Sequence, residues 1–461
     1  MIRAALAALA ISVASLVSAE TRVPTSQLEI QLGFAPLVKE AAPAVVNIYA
    51  KRVVETRQSP FQGDPFFQNL FRDFGTARPR VQNSLGSGVI LSSDGIVVSN
   101  YHVVGMATDI RVVLNDRREF AARVLLGDQD SDLAILQLID APENMQHLTL
   151  RNSDTVDVGE LVLAIGNPFG VGQTVSSGIV SGLARSGTAA GAGQGYFLQT
   201  DAPINPGNSG GALIDINGHL IGINTRILTR SGGSNGIGFA IPTNLVAQFV
   251  TQAEAGNDRF QRPWAGATGQ PVDSDMAEIL GMDRPGGIVL SALHEASPLK
   301  AAGLAPGDVI LAVDGQPVNT GSEMIFRMSV AGLGAEADLT VLKNGRGNVV
   351  TVDLAPPPEV PARETVTTSR RSAIPGITLS NINPAVIATS RLPLGAEGVV
   401  IEDPGPSGAR AGLRPGDILR AVNGEETPDT NSAARALRNA GSRITLAIER
   451  GGQQILMRFR L

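Results

Sequence analysis

The stretch Asn205-Pro206-Gly207-Asn208-Ser209-Gly210-Gly211-Ala212-Leu213 can be read in two ways, and the choice decides the fold. Its centre, Gly207-Asn208-Ser209-Gly210-Gly211, fits the Gly-x-Ser-x-Gly turn that carries the nucleophile of α/β-hydrolases. That turn needs a helix directly after the serine and a histidine further downstream. Here Gly210–Ile214 runs into an Asn217-Gly218 turn and a second apolar run, Leu220–Ile223, which is the pattern of a β-hairpin. The downstream histidines are His219, on that turn, and His294, in a later repeat, and neither has a fitting context. Upstream stand His102, in Ser99-Asn100-Tyr101-His102-Val103-Val104, and Asp132, in Asp130-Ser131-Asp132-Leu133-Ala134. The order His…Asp…Ser is that of chymotrypsin-type barrels.

The chemistry explains why these residue types belong together. A serine hydroxyl is a weak nucleophile until an imidazole takes its proton, and the imidazole needs a carboxylate to fix its tautomer. Backbone amides must also meet the oxyanion that develops on the substrate. The glycines around Ser209 let the chain turn sharply enough for the amides of Gly207 and Ser209 to share a pocket, so the oxyanion hole is expected in the backbone of Gly207, Asn208 and Ser209. Asp132 is preferred to Asp128 and Asp130 because it leads directly into the apolar run Leu133–Leu138 and should be held still. Taken singly, each residue has a bland reading: a polar edge histidine, a charged loop, a glycine turn. Their order on one scaffold makes the catalytic reading.

That scaffold is β-rich. Ala44–Ile48, Gly88–Leu91, Ile96–Ser99, Ile110–Leu114, Leu133–Leu138, Leu161–Ile165 and Leu220–Ile223 read as short strands, punctuated by turns such as Ser93-Asp94-Gly95 and Asn115-Asp116. No amphipathic helices alternate with them, which argues against a doubly wound sheet. Residues 28–43 read as a short helix ending before Pro43, and Pro242–Gln252 as a helix closing the unit. Residues 55–82 form a loop with Phe61, Phe66, Phe67, Phe71 and Phe74, which either tucks onto its own domain or contacts another subunit or a cleft.

The C-terminal half repeats itself. Ala302-Gly303-Leu304-Ala305-Pro306-Gly307-Asp308-Val309-Ile310 returns as Ala411-Gly412-Leu413-Arg414-Pro415-Gly416-Asp417-Ile418-Leu419, an offset of 109 residues. Two copies are too few for a solenoid and indicate two small domains. The expected organisation is 1–19 signal peptide, 20–255 catalytic domain, 256–354 first repeat domain, 355–373 Pro-rich linker and 374–461 second repeat domain. Met-Ile-Arg, the apolar run Ala4–Val17 and the small residues Ser18-Ala19 fit a secretory signal cleaved after Ala19.

Composition removes several functions. The 461 residues carry Lys+Arg 37 against Asp+Glu 43, a net charge of −6, so no nucleic-acid partner is expected. The chain has no cysteine, which excludes a thiol nucleophile, disulfides and thiolate zinc sites. The four histidines, at 102, 147, 219 and 294, are scattered and there is no His-Glu-x-x-His, so no metal is expected; His147 and His219 read as surface residues. No phosphate-binding loop occurs, so no nucleotide or other cofactor is expected. No apolar run is long enough to span a membrane.

With these residues in hand, the chain resembles the HtrA (Do-like, Deg) serine proteases, specifically the exported bacterial type with two PDZ domains. The resemblance covers nearly all of the chain after the signal segment. It rests most on Thr200–Leu213, and also on Ala44–Ile48, Gly86-Ser87-Gly88-Val89-Ile90, Ala164–Gly170 and Gly236–Pro242. It implies a mainly β fold: a chymotrypsin-like double β-barrel followed by two PDZ domains. It further implies ATP-independent endoproteolysis of unfolded or misfolded envelope proteins, a periplasmic location, and a homotrimer or higher multiple. His102 would be the base, Asp132 the orienting carboxylate and Ser209 the nucleophile. The PDZ carboxylate-binding loops would lie at Trp264-Ala265-Gly266-Ala267 and Ile374-Pro375-Gly376-Ile377, where C-terminal peptides add as strands. Tyr101 stands where the family usually has Asn, and Ala265 and Ala267 where bulkier apolar residues are common. The Phe-rich segment resembles the family's long regulatory loop.

Two other functions compete. A holdase-type chaperone is motivated by the peptide-binding domains and the Phe-rich segment, and could coexist with proteolysis. An esterase is disfavoured by the hairpin after Ser209 and by the triad order. The Gly/Ser/Thr-rich loops Gly187–Tyr196 and Arg226–Gly236 are expected to change order when peptides occupy the PDZ domains.

Overall fold

The computed structural model describes residues 33–54, 80–167, 172–186, 196–205, 207–227, 236–441 and 443–460. The segment 1–19, nearly all of the Phe-rich segment and most of the two Gly/Ser/Thr-rich loops lie outside these residues. Helix α1 (Ala35–Ala41) runs into a 3-10 turn at Ala42–Ala44, so Pro43 ends the α-helix as the sequence predicts.

Strands β1 (Val45–Val54), β2 (Arg80–Ile90), β3 (Ile96–Ser99), β4 (Asp109–Val113), β5 (Glu119–Asp128) and β6 (Leu133–Leu138) close into one barrel in the order β1-β2-β3-β6-β5-β4. Strands β7 (Leu161–Gly166), β8 (Thr174–Ser186), β9 (Tyr196–Thr200), β10 (Ala212–Asp215), β11 (Leu220–Ile227) and β12 (Gly238–Pro242) close into a second, ordered β10-β11-β12-β9-β8-β7. Closure leaves neither sheet with a free edge.

The unbroken apolar runs in these strands have a physical reason. Alternate residues face opposite sides of a strand, and in this pair of barrels both sides are buried. Val46, Ile48 and Ala50 fill the first barrel, while their neighbour Val45 joins a cluster shared by both barrels. Likewise Val162 and Ala164 fill the second barrel, while Leu163 and Ile165 join the shared cluster. Helix α2 (Tyr101–Val104) follows β3, and helix α3 (Thr243–Glu254) caps the shared cluster with Leu245, Val246 and Phe249.

The first repeat domain is a sheet of β13 (Ala267–Pro271), β14 (Ile288–Leu293), β15 (Val309–Val313), β17 (Glu336–Lys343) and β18 (Arg346–Asp353), with β16 (Gln316–Pro317) on β15 and helix α4 (Gly321–Ala331) across it. The second is a sheet of β19 (Val366–Thr367), β20 (Thr378–Asn381), β21 (Val399–Asp403), β22 (Ile418–Val422), β24 (Arg443–Arg450) and β25 (Gln453–Arg460), with β23 (Glu425–Glu426) on β22 and helix α5 (Thr430–Asn439). The repeated Gly-Asp has the same task in each. Asp308 Oδ2 accepts from the amide of Ala305 at 2.9 Å, and Asp417 Oδ2 from that of Arg414 at 2.8 Å, fixing the turn before a central strand.

Two placements go beyond the sequence reading. Residues 366–367, assigned there to the linker, are a strand of the second repeat domain. Helix α4 sits directly on the catalytic unit: Phe326 joins the shared cluster of the barrels and stacks on Tyr196 with ring centroids 3.8 Å apart. Arg327 beside it pairs with Asp154 and donates to the Tyr196 hydroxyl at 2.8 Å.

Candidate active site

His102 and Asp132 meet because of strand register. Strand β3 pairs with β6 so that Ser99 faces Ala134, which brings the residues after β3 alongside those before β6. Asp132 has φ 54, a left-handed conformation uncommon for a non-glycine residue, and hydrogen bonds hold it there. The Asp132 carbonyl accepts from Asn100 Nδ2 at 3.0 Å and from the Tyr101 amide at 3.1 Å. Carboxylate oxygen Oδ1 accepts from the His102 amide at 3.0 Å, and both oxygens lie 2.9 Å from His102 Nδ1. The Thr225 hydroxyl donates to Oδ2 at 2.6 Å. The two side chains are 5% and 7% exposed.

Burial pushes the Asp132 carboxyl up, but His102, the Arg226 guanidinium and the Thr225 hydroxyl together outweigh it and hold the group below its ordinary value. An ionised carboxylate can only accept, so it draws the proton of the neutral ring to Nδ1 and leaves Nε2 as the basic nitrogen.

Ser209 comes from the other barrel, on the loop that enters β10. Its hydroxyl donates to the Thr225 carbonyl at 3.1 Å. Thr225 therefore holds both partners: its side chain meets Asp132 and its carbonyl meets Ser209. It can do so because the register of β11 against β12 shifts between Asn224 and Arg226, and such a bulge re-aims a side chain.

The loop itself is tightly tied. The Asn208 amide donates to the Asn205 carbonyl at 3.0 Å, and the Gly210 and Gly211 amides to the carbonyls of Asn224 and Asn208 at 2.8 and 2.9 Å. The Asn208 amide, expected in the oxyanion hole, is thus engaged inside the turn. Gly207 has φ 102. At Gly210 a Cβ would stand 2.1 Å from the Ser87 carbonyl oxygen, so only glycine fits between the barrels.

The remaining expected site residues lie elsewhere. In the first repeat domain Gly266 has φ 58, the Ala265 carbonyl accepts from Ser297 Oγ at 2.7 Å, and Trp264 meets His294 edge to face at 5.3 Å. The loop leads into β13, the outer strand of its sheet. In the second repeat domain the loop Ile374–Ile377 is bonded to a segment of the same chain. Strand β19 lies along β20, with Val366 opposite Leu379 and Thr367 opposite Thr378. The Gly376 amide donates to the Thr368 carbonyl at 3.0 Å and the Ile377 amide to Thr368 Oγ1 at 2.9 Å. Of this expected peptide-binding loop, Ile374-Pro375-Gly376-Ile377, the Gly376 and Ile377 amides are thus bonded to Thr368 of the same chain, whose hydroxyl also donates to the Ile374 carbonyl at 2.8 Å.

His147 and His219 are exposed, as predicted. Among the described residues no group of three or more His, Asp or Glu could hold a metal ion, and no helix is long and apolar enough to cross a membrane. Sequence reasoning missed Asn100, Thr225, Arg226 and Ser87. The one available signal for Thr225 was a polar pair, Asn224-Thr225, inside an apolar strand.

Comparison with known proteins agrees with this geometry. Residues 86–223 match the trypsin-like peptidase domain, and 266–354 and 399–450 match PDZ domains. The periplasmic pH-dependent serine endoprotease DegQ of Escherichia coli is 36% identical over 99% of this chain and 98% of its own. The periplasmic serine endoprotease DegP of Escherichia coli is 34% identical over 97% and 96%. A solved structure of the HtrA-type protease AlgW with decapeptide is 40% identical, covers 70% of this chain and 99% of its own, and superposes with a TM-score of 0.51. A double β-barrel joined to two PDZ domains, end-to-end likeness to curated endoproteases and a histidine–carboxylate pair linked through Thr225 to a buried serine lead to one conclusion: the chain belongs to the HtrA (Do-like, Deg) family of periplasmic serine endoproteases.

Proposed function

We propose that the chain cleaves unfolded envelope proteins with Ser209 as nucleophile, His102 as base and Asp132 as orienting carboxylate. The observation that carries this reading is the Asp132 carboxylate 2.9 Å from His102 Nδ1, in a network that reaches Ser209 through Thr225. The Ser209 hydroxyl swings from the Thr225 carbonyl to His102 Nε2, loses its proton there and attacks the peptide carbonyl carbon. The imidazolium is stabilised by Asp132, and the oxyanion is received by the amides of Gly207 and Ser209. His102 then protonates the leaving amine, and water repeats the sequence on the acyl-enzyme.

The substrate class follows from access. Ser209 is 5% exposed, so an extended strand can reach it where a folded surface cannot. The decapeptide in the AlgW structure and the open outer strand β13 support capture of C-terminal peptides by the first PDZ domain. The test is degradation of a fluorescein-labelled, chemically unfolded protein by residues 20–461, beside Ser209→Ala. Cleavage that survives in Ser209→Ala would sink the assignment; cleavage lost there supports it.

A further inference from the structure

Ser87 lies in β2 of the first barrel, is fully buried, and has no place in the triad. Each of its four polar bonds touches the catalytic apparatus or the strands that carry it. Its amide donates to the Ser209 carbonyl at 2.9 Å. Its hydroxyl donates to the Gly207 carbonyl at 2.5 Å and accepts from the Asn167 amide at 2.8 Å. Its carbonyl accepts from Ser99 Oγ at 2.7 Å, and Ser99 ends the strand that leads to His102. One residue of the first barrel therefore grips the nucleophile loop of the second at both ends of Gly207–Ser209, while its other side is tied to the element bearing the base.

We propose that Ser87 is the positioning residue of the oxyanion hole. A peptide unit is planar, so fixing the Gly207 carbonyl fixes the plane of the Gly207–Asn208 peptide. That peptide lies between the two units that carry the Gly207 and Ser209 amides, and it is held on both edges: the Asn208 amide on the Asn205 carbonyl, and the Gly207 carbonyl on the Ser87 hydroxyl. The Ser87 hydroxyl is the hold that comes from the first barrel. Its geometry is set by the two bonds it makes, and its backbone amide anchors the far end of the same turn at Ser209. The first barrel thereby sets the orientation of the amides that meet the developing oxyanion. This inference rests on the Ser209 reading above.

The test compares wild type, Ser87→Ala and Ser87→Thr as full chains. Hydrolysis of an unfolded-protein-derived peptide gives kcat and KM, and a peptide boronic acid reports the hole directly, because its tetrahedral adduct with Ser209 places an oxygen there. Removing an oxyanion donor outright costs about 10²–10³ in kcat, so misaligning the donors should cost about tenfold to a hundredfold. Expected for Ser87→Ala are that fall in kcat, KM within about threefold, and a parallel loss of boronate affinity, with partial recovery in Ser87→Thr. Wild-type kcat and boronate affinity in folded Ser87→Ala would overturn the proposal, as would a fall in kcat with boronate affinity unchanged. Should Ser87→Ala fail to fold, Ser87→Cys, a weaker donor at the same place, is read by the same two measurements. Activity independent of Ser209 would instead defeat the triad reading, so the two failures are separable.

Discussion

Asp132→Asn tests the base's orientation with almost no change of shape. The carboxylate meets three donors: the His102 amide at Oδ1, the Thr225 hydroxyl at Oδ2, and His102 Nδ1 at both. An amide has one oxygen. If that oxygen turned to Thr225, its NH2 would face the His102 main-chain N–H, donor against donor, and that N–H cannot rotate away. The oxygen therefore stays on the His102 amide and the NH2 faces Nδ1, while the Thr225 hydroxyl rotates to accept. The NH2 then donates to Nδ1, so the ring proton moves to Nε2 and the face toward Ser209 loses its base. In the transition state the imidazolium would also meet a donor where it now meets an anion. Loss of this orientation costs about 10⁴ in kcat, or about 5 kcal/mol of transition-state stabilisation, with KM little moved. The assay is steady-state peptide hydrolysis, with Asp130→Asn as control because Asp130 is half exposed and pairs with Arg391. A kcat for Asp132→Asn within tenfold of wild type, or an equal loss for Asp130→Asn, would refute the reasoning.

Other consequences follow from the same structure. Because Asp132 is held below its ordinary value of 3.8, its stabilising contribution is present above that pH and is lost as pH falls through the lower folded value; the stability gap between wild type and Asp132→Asn in urea melts should be full at neutral pH and close in acid, and a gap that widens in acid contradicts this. Phe326→Ala removes a stacked ring seated in the shared cluster and should cost about 3 kcal/mol of docking, seen as faster limited proteolysis between residues 256 and 266; wild-type resistance there would count against the contact. Thr368→Ala removes the hydroxyl that the Ile377 amide uses and should strengthen cross-linking of a free-carboxyl decapeptide to the second PDZ domain by about tenfold, a change that an already open loop would not show.

What could be read in the sequence and what could not divides along the kind of interaction. The glycines of Gly207–Gly211 were legible because a backbone that must approach another backbone within van der Waals distance leaves glycine as the choice, and Gly210 against Ser87 is such a place. The difference in setting between Asp132 and Asp130 was legible because a residue that leads directly into a buried strand is held and one further out in the loop is not; the structure gives Asp132 5% exposure and leaves Asp130 half exposed in an ion pair. The paired Gly-Asp motifs were legible because the same turn needs the same acceptor twice. Thr225 was hidden, since its use depends on a one-residue bulge whose existence is decided by strand partners far along the chain. Thr368 was hidden for the opposite reason: a Pro-, Thr- and Ser-containing segment has the composition of a linker, and only the unpaired edge of β20 turns part of it into a strand.

The seam between the barrels shows how stability and orientation are assigned to different residues. Most of it is apolar, with Leu133, Ile135, Leu163 and Ile165 fully or almost fully buried in the shared cluster, each stabilising by about 1.5–3 kcal/mol. At the nucleophile loop it turns polar, and the polar part is not fully satisfied: Asn47 Oδ1 and Nδ2, Asn167 Oδ1 and Asn208 Nδ2 are buried without a hydrogen-bond partner among the described residues. Each such atom costs about 1–3 kcal/mol. An apolar seam throughout would hold the barrels together more strongly, but it could not set the angle of a peptide plane, because dispersion contacts are non-directional and hydrogen bonds are not. The proposed triad is split, with His102 and Asp132 on one barrel and Ser209 on the other, so its geometry is only as good as the registration between them. The apolar cluster makes the association strong, and Ser87 and Thr225 make it directional by bonding across it. Truncating Leu133 or Ile165 should therefore lower stability before it alters chemistry, whereas removing the Ser87 or Thr225 hydroxyl should alter chemistry in molecules that still fold, beside a loss of about 1–3 kcal/mol for each buried partner left unpaired.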